Sequence, residues 1–421
     1  MVDITRKNIL GHRKEVFIMN FMDTKVSSKL HTIIKSEILP CILLLMATIL
    51  SLIIANTPFK DLYNYLFNDI NIFFNMNLNT FINDFLMAVF FLVVGCEIKK
   101  EIVSGSLSQI KKAAFPIVAA LGGIVVPATI YFLLNRNSEF LSGLGIPIST
   151  DIAFALGAFM IFKSKLNDSS KIFLLTVAIV DDLIAILIIG LFYSNGISFL
   201  PLLIATGIFV LLLTLKRVDK THNLVPYFIL GLFLWFFIYI SGINPTISGV
   251  LLAIALPINS STISRKKSAL EITEYALSPY ANLIILPLFA LSNTAITLSV
   301  NEFPKGSLAV ALGIILGLVI GKPLGIMLST SIGTKLNLIE KPKDISWGNL
   351  YSVGMLAGIG FTMSIFVSEI AFASNLQMLN LAKISILLSA MITCLIAAIA
   401  INYDLSFFSI LTKAKKLVKV S

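Results

Sequence analysis

Apolar runs of about twenty residues recur along this chain of 421 residues, and they constrain its fold more than any other feature. A helix needs roughly 20 apolar residues to cross a bilayer, because it rises about 1.5 Å per residue. Hydrophobic residues make up 57% of the chain and charged residues 13%, and the mean hydropathy is +0.94. No water-soluble domain of this length has so apolar a surface. The composition predicts an all-α polytopic membrane protein.

The basic residues predict how this protein is oriented in its membrane. Of the 32 Lys and Arg residues, 27 fall in the N-terminal segment, every second connection and the C-terminal segment, whereas 3 fall in the alternate connections. Cytoplasmic segments carry the excess of positive charge, so both termini are expected in the cytoplasm and the net charge of +10 does not indicate nucleic acid binding. The pattern predicts about twelve spans: 38–56, 81–96, 114–134, 142–161, 172–192, 198–215, 226–241, 245–258, 281–298, 307–330, 349–372 and 380–403.

These spans divide the chain into a cytoplasmic segment (1–37), a transmembrane domain (38–403) and a basic cytoplasmic tail (404–421). The first segment lacks the apolar core and cleavage site of a signal peptide. Three cysteines lie inside apolar runs, which argues against a disulfide framework or a metal cluster. The connection 57–80 contains the alternating stretch INIFFNMNLN, which fits either a short hairpin at a subunit contact or an ordinary loop.

Two adjacent aspartates, Asp181 and Asp182, stand in the middle of the apolar run LLTVAIVDDLIAILIIG. A carboxylate at the centre of a membrane helix disfavours insertion by roughly 2.5–3.5 kcal/mol, so their presence indicates a function. Adjacent helical residues project about 100° apart, so one carboxylate can face a water-filled cavity while the other faces a neighbouring helix. The expected partner is Lys322, in the run LGLVIGKPLGIML, unless its side chain extends to a membrane surface instead.

Two spans are interrupted, and the interruptions fall in corresponding places. In GIPISTDIAFALG, Pro147 prevents a regular helix, and Thr150 and Asp151 favour the start of a second half-helix, unless they cap an ordinary loop-to-helix junction. In GMLAGIGFTMSIF, Gly358 and Gly360 indicate either close helix packing or a second break. Spans 3–5 (about 114–192) begin inside and spans 10–12 (about 307–403) begin outside. Inverted repeats with paired discontinuous helices indicate the ion site of a transporter.

A last group of charges lies at the inner end of the second span. The stretch GCEIKKE places Glu97 and Glu101 one helical turn apart, next to two lysines. Such a group is either a solvated helix end or a cytoplasmic cluster that collects protons or cations.

Five of these stretches together resemble the signatures of the NhaA family of bacterial sodium/proton antiporters, over about residues 38–403. The stretches occur in the family's order: NDFLMAVFFLVVGCEIKKE, STDIAFALG, IVDDLIAI, IGKPLGI and LAGIGFTMSIF. The resemblance implies about twelve transmembrane helices in the bacterial inner membrane, with inverted three-helix repeats in which the discontinuous spans 4 and 11 cross. It also implies a homodimer that forms through residues 57–80, and no cofactor.

The resemblance also implies roles for individual residues. Asp182 would be the central ligand of Na⁺ or Li⁺ and the proton acceptor, while Asp181 would contribute to binding and pair with Lys322. Asp151 and Thr150 would lie where the broken spans cross near Gly358 and Gly360, with Asp151 compensating the positive helix ends and Lys322 the negative ones. Three carboxylates would belong to a cytoplasmic region linked to the pH response: Glu97, Glu101 and Glu274.

The chain departs from the family pattern at two positions. Some members have histidines where this chain has Asn244 and Ser278, so its pH dependence cannot use those imidazoles. The resemblance implies electrogenic, pH-regulated exchange of cytoplasmic Na⁺ or Li⁺ for external H⁺, which serves sodium and pH homeostasis.

Two other functions fit the residues less well. A cation channel would favour symmetric rings of charge over one buried set of two aspartates and a lysine. An intramembrane aspartyl protease needs carboxylates on two helices that share a proton. Adjacent aspartates cannot provide that arrangement, which leaves Asp151 with Asp182 as the one pair for it, and the sequence favours a transporter over an enzyme.

Overall fold

The computed structural model describes residues 37–73, 76–193, 196–218, 223–258, 268–297 and 306–402. Apart from one short hairpin, the regular structure of these residues is helical. The helices follow in chain order: α1 Leu39–Ala55, α2 Lys60–Asp69, α3 Leu78–Val103, α4 Ile110–Asn135, α5 Ile152–Ile161, α6 Asp168–Phe192, α7 Phe199–Val218, α8 Leu224–Ser241, α9 Ile247–Ala255, α10 Ala269–Asn293, α11 Ser307–Lys335, α12 Trp347–Ala357, α13 Phe361–Ala371 and α14 Leu376–Asn402.

The predicted polytopic helical fold is confirmed. Within the described ranges, 9 helices are long and apolar enough to cross a membrane, or up to 11 if each of two bent pairs counts as one span. The eighth predicted span, 245–258, corresponds to α9, which is only 9 residues long. Pro245 and Pro257 bracket this helix, and a proline disfavours the helical conformation of the residue before it.

Polar side chains define where several of these helices begin. Asn167, Asn223 and Ser346 accept hydrogen bonds from backbone N–H groups in the first turns of α6, α8 and α12. Ser268 and Glu271 form a reciprocal capping box at the start of α10. Each cap satisfies an N–H group that the helix cannot bond internally, so these short polar sequences fix the helix boundaries.

Glycines allow the helices around the centre to approach each other closely. A Cβ atom added to Gly325 of α11 would lie 2.0 Å from the carbonyl oxygen of Gly122 in α4. A Cβ added to Gly249 of α9 would lie 2.0 Å from the carbonyl oxygen of Ala88 in α3. Backbone therefore touches backbone at both crossings, which is how small residues pack membrane helices.

Two spans are interrupted at the same depth. A 3₁₀-helix, Leu141–Ile148, contains Pro147 and ends before three extended residues that lead into α5. The second interruption separates α12 from α13, whose axes differ by 42°. The two interruptions touch, because the backbone N–H of Asp151 donates to the carbonyl of Ile359 at 2.8 Å.

The sequence of the connection 57–80 fits either a hairpin or an ordinary loop. The structure has a short antiparallel pair of strands there, β1 Asn71–Phe73 and β2 Met76–Asn77.

The predicted domain boundaries stay a prediction. Residues 1–36 of the N-terminal segment and the whole tail 404–421 lie outside the described residues. The two predicted repeats, 114–192 and 307–403, correspond to α4–α6 and α11–α14.

Replacing Gly325 with Ala is expected to lower the melting temperature of the purified protein in detergent, because the new methyl group would collide with the Gly122 carbonyl. Gly207→Ala is the matched control, since a Cβ at that helical position meets nothing within 4 Å. Alanine is favoured over glycine in a helix by roughly 0.5–1 kcal/mol, so the control should melt at the same temperature or slightly higher. Equal melting of the two variants would contradict the backbone contact between α4 and α11.

Candidate functional site

One buried carboxylate, that of Asp151, caps two helices at the point where the interrupted spans meet. Its Oδ1 accepts a hydrogen bond from the N–H of Phe154 in the first turn of α5, at 2.9 Å. Its Oδ2 accepts from the backbone N–H of Thr362 at the start of α13, at 3.0 Å, and from the Thr362 hydroxyl at 2.5 Å. The N-termini of both half-helices carry partial positive charge, so a single negative group compensates two helix ends.

Lys322 joins the end of the 3₁₀-helix that precedes α5 to the aspartate pair of α6. Its ammonium donates to the carbonyl of Ile148, the last residue of the 3₁₀-helix, and lies 2.9 Å from Oδ2 of Asp181. The side chains of Lys322 and Asp181 are both 0% exposed, so the lysine does not reach a membrane surface. A positive charge at a helix C-terminus and a buried carboxylate thus stabilise each other.

Thr150 connects the same ion pair to α12. Its hydroxyl lies 2.8 Å from Asp181 Oδ2 and 2.9 Å from the carbonyl oxygen of Ala357, the last residue of α12. Because the hydroxyl has one hydrogen to donate, it can satisfy either the carboxylate or the helix end at a given moment. Thr150 therefore links the Asp181 carboxylate to the end of the broken span.

Asp182 differs from its neighbour in having no such partners. Both of its carboxylate oxygens are buried, and no hydrogen-bond donor among the described residues reaches them. Oδ1 of Asp181 is also without a donor in this part of the chain. Adjacent residues of a helix project about 100° apart, which turns Asp181 towards Lys322 and leaves Asp182 facing a cavity.

This cavity, of about 840 Å³, runs between α3, α5, α6, α10 and α13. It contacts Asp182 and Asp151 at one end and the charged first turns of α10 at the other. Among its described lining residues, one is a lysine, Lys100, and seven carry carboxylates: Glu37, Glu97, Glu101, Asp151, Asp182, Glu271 and Glu274. A cleft lined by one sign of charge with low-dielectric walls concentrates counter-ions, so this cavity attracts cations.

The predicted cytoplasmic cluster is only partly brought together. Lys100 pairs with Glu274 at 2.8 Å and thereby links α3 to α10. Glu101 instead accepts hydrogen bonds from the backbone N–H and the hydroxyl of Ser106, at 2.7 and 2.9 Å. Glu97 and Ser278 line the same cavity, whereas the side chain of Asn244 accepts from the N–H of Thr246 next to α9.

The helix-breaking residues shape the crossing itself. A Cβ atom on Gly358 would lie 2.6 Å from the carbonyl oxygen of Leu318, and one on Gly360 would lie 2.8 Å from that of Ser149. Pro147 packs against Gly317 of α11, where a Cβ would come within 2.7 Å of the proline ring. These positions let three backbones converge where the charged groups lie.

Sequence reasoning missed several groups that the structure places at or near this site. Thr362 was not singled out, although its position just after a glycine pair could have marked it as the first turn of a helix. The carbonyls of Ile148 and Ala357 carry no signal in the sequence, because backbone groups are identified only by geometry. A further ion pair, Glu369 with Lys383 at 2.5 Å, was also not foreseen.

Lys322→Ala is expected to lower the melting temperature in detergent strongly, because it leaves the Asp181 carboxylate buried without its countercharge. Breaking a buried ion pair from one side costs about 3–5 kcal/mol. Lys383→Ala is the matched control, since its pair with Glu369 is 10% and 21% exposed and can be partly replaced by water. Adding Asp181→Asn to Lys322→Ala should recover part of the loss. A Lys322→Ala protein that melts no lower than the Lys383→Ala protein would contradict a buried pair that stabilises the fold.

Comparison with known proteins identifies the family. The sequence profile described as Na⁺/H⁺ antiporter 1 matches residues 31–401. The chain is 42% identical over 381 residues to "Na(+)/H(+) antiporter NhaA 2" of Aliarcobacter butzleri, an alignment that covers 87% of this chain and 94% of that protein. It is 43% identical over 362 residues to "Na(+)/H(+) antiporter NhaA" of Pelagibacter ubique, covering 84% and 91% of the two chains. It is 39% identical over 430 residues to the protein of the same name from Helicobacter acinonychis, covering 90% and 97%.

These matches extend over nearly all of the helices described above, including both interrupted spans and the helix that carries the aspartate pair. The resemblance noted from the five sequence stretches is confirmed. The chain therefore belongs to the Na⁺/H⁺ antiporter 1 family, and the protein is a membrane transporter rather than an enzyme.

Proposed function

We propose that this protein exports Na⁺ in exchange for H⁺ and that Asp182 is the group on which the two cations alternate. One observation carries the assignment: both Asp182 oxygens are buried at the end of a carboxylate-lined cavity, with no hydrogen-bond donor among the described residues. A carboxylate in that position can be neutralised by a proton or by a small hard cation, for which oxygen ligands are suited. The names of the relatives supply the identity of the cations.

The other charged groups of the site have different roles in this proposal. The charge of Asp181 is already offset by Lys322, and its free Oδ1 can act as a second oxygen ligand. Asp151 is occupied by donors from two half-helices, so its role is to hold the crossing together while it adds negative charge to the cavity. Thr150, which contacts both Asp181 and the end of α12, transmits a change at the site to the broken span.

Exchange follows if the proton-bound and Na⁺-bound states of the site exclude each other. The cavity is proposed to open to the cytoplasm, as the distribution of Lys and Arg predicts with both termini on that side of the bacterial inner membrane. There the site releases protons and takes Na⁺ or Li⁺. It then opens to the other side, where protons displace the ion. If more than one proton returns per Na⁺, each cycle moves positive charge inward and uses roughly 2.3 kcal/mol per charge per 100 mV.

Two further expectations from the resemblance belong to this proposal. The ion pair between Lys100 and Glu274 lies at the wide end of the cavity, where Glu97 and Glu101 add charge, so a pH-dependent change there would alter how α3 and α10 contact each other. The hairpin of β1 and β2 is proposed as the contact through which two copies form a homodimer within the lipid bilayer.

Asp182→Asn is expected to abolish exchange, because an amide neither carries a proton through the cycle nor neutralises Na⁺. The measurement is dequenching of a pH-sensitive dye in everted membrane vesicles when Na⁺, Li⁺ or K⁺ is added in turn. Asp168→Asn, an exposed position in the first turn of the same helix, is the matched control and should exchange normally. Normal exchange by an inserted Asp182→Asn protein would refute the assignment of Asp182.

Competition between H⁺ and Na⁺ for these carboxylates predicts that the apparent KM for Na⁺ depends on pH. While the site is mostly protonated, releasing one proton per bound ion makes KM rise about tenfold for each unit of falling pH. If both aspartates must deprotonate, the limiting slope approaches roughly a hundredfold per unit, and it belongs to the pair rather than to either residue. At higher pH, KM should become constant while the maximal rate falls, because protons for the return step become scarce.

Transport currents from reconstituted protein, titrated with Na⁺ at several acidic pH values, measure this slope. A separate allosteric sensor gives a different result, in which the maximal rate rises with pH while KM stays nearly constant. Since Asn244 and Ser278 replace the histidines of some relatives, competition at Asp181 and Asp182 is the expected source of pH dependence. A KM that does not change over about two pH units on the acidic side, where competition requires roughly a hundredfold change, would exclude a shared site.

A further inference from the structure

An aromatic barrier closes the cavity on the side away from its charged mouth. In α13, Thr362 lines the cavity, and Phe366 follows one helical turn further along. In α10, Leu286 lines the cavity and Phe289 follows in the same way. The ring of Phe366 lies 5.4 Å from that of Phe91 in α3 and 6.1 Å from that of Phe289. All three rings are fully or almost fully buried, so together they form a packed apolar layer one helical turn beyond these cavity-lining residues.

Polar side chains return immediately beyond this barrier. Glu369 lies seven residues after Thr362 and therefore on the same face of α13, about 10 Å further along the helix axis. Asn293, seven residues after Leu286, forms reciprocal hydrogen bonds with Asn83 of α3, at 2.7 and 3.2 Å. The three helices that supply the aromatic rings thus carry a polar group one turn or more beyond each ring.

Among Glu369, Asn293 and Asn83, Glu369 is the charged residue, and it forms an ion pair with a lysine of the neighbouring helix. Its Oε1 lies 2.5 Å from the ammonium of Lys383 in α14, and its side chain is 21% exposed while that of Lys383 is 10% exposed. An ion pair at such a depth adds little net stability compared with apolar packing, so stability alone does not account for it. The pair repeats the arrangement of Asp181 with Lys322, in which a lysine occupies the place that a free cation could take.

We propose that Glu369 is the cation-binding group on the side of the molecule opposite to the cavity, one helical turn beyond the barrier of Phe91, Phe289 and Phe366. Its partner Lys383 lowers the affinity of this carboxylate for the ion. This inference rests on the proposed exchange function. When the site opens to that side, the departing Na⁺ meets the Glu369 carboxylate first, and the neighbouring charge of Lys383 prevents this carboxylate from retaining the ion. Removing either member of the pair should therefore alter the apparent affinity for Na⁺ on that side alone.

The experiment titrates Na⁺ from each side in turn. In right-side-out vesicles loaded at acidic pH, external Na⁺ drives proton efflux, whereas everted vesicles expose the cavity side to the same titration. Glu369→Gln should raise the external KM for Na⁺, and Lys383→Met should lower it. Each change should be about fivefold, the factor expected for two unit charges at contact distance in water. Neither variant should change the KM measured in everted vesicles.

Glu37→Gln provides a control for sidedness, because Glu37 lines the cavity and pairs with Lys171 at 2.6 Å. Its effect on KM should appear in everted vesicles only.

A purely structural ion pair, which only connects α13 to α14, predicts a different result. Both variants would then lower the melting temperature or the maximal rate equally and leave both KM values unchanged, which would overturn the inference. Should one of the two variants fail to insert, the other must still shift the external KM by about fivefold in its stated direction, or the inference is wrong. Absence of exchange by the wild-type protein in both kinds of vesicle would instead refute the proposed function.

Discussion

The buried charges at the crossing of the two interrupted spans are the constraint on which the rest of this structure depends. Breaking a helix inside a membrane exposes N–H and carbonyl groups that no solvent can satisfy. Here Asp151 satisfies the beginnings of two half-helices, while Lys322 satisfies the end of a third segment and pairs with Asp181. Each of these three charges is tolerated because a helix end or an opposite charge offsets it, and the broken helices are tolerated because the charges are present.

Close backbone packing makes this arrangement possible. Gly122 and Gly325 bring α4 against α11, and Gly358 brings the break after α12 against the carbonyl of Leu318. A π-helical turn, Gly317–Gly321, immediately precedes Lys322 and changes the register of α11 at that point. π-helical turns are rare and are frequent at functional sites, because the extra residue redirects the side chains that follow. The direction of the Lys322 side chain is thus set by the backbone of α11 as well as by its partner.

The three aspartates of the site are chemically alike, and their surroundings give them different tasks. Asp151 is fully occupied by donors, Asp181 is paired with Lys322 and Thr150, and Asp182 faces the cavity without a donor among the described residues. A site that must bind and release a cation needs one carboxylate whose charge is not already compensated. In the proposed exchange, Asp182 is that carboxylate, because Asp151 and Asp181 already have partners. The proposed group at Glu369 extends this logic to the other side of the aromatic barrier.

The sequence by itself determined the helical membrane fold, the family and the positions of the interruptions, because hydrophobic length, proline and glycine act locally along the chain. The aspartate pair and Lys322 also stood out, since charges are costly in an apolar run. Only the tertiary structure decided which aspartate faces the cavity, that Asp151 caps a helix more than 200 residues away, and that Glu369 meets Lys383. Partners of this kind include backbone carbonyls such as those of Ile148 and Ala357, which every residue possesses. Their role depends on distance and direction in space, and these are fixed only when the helices pack.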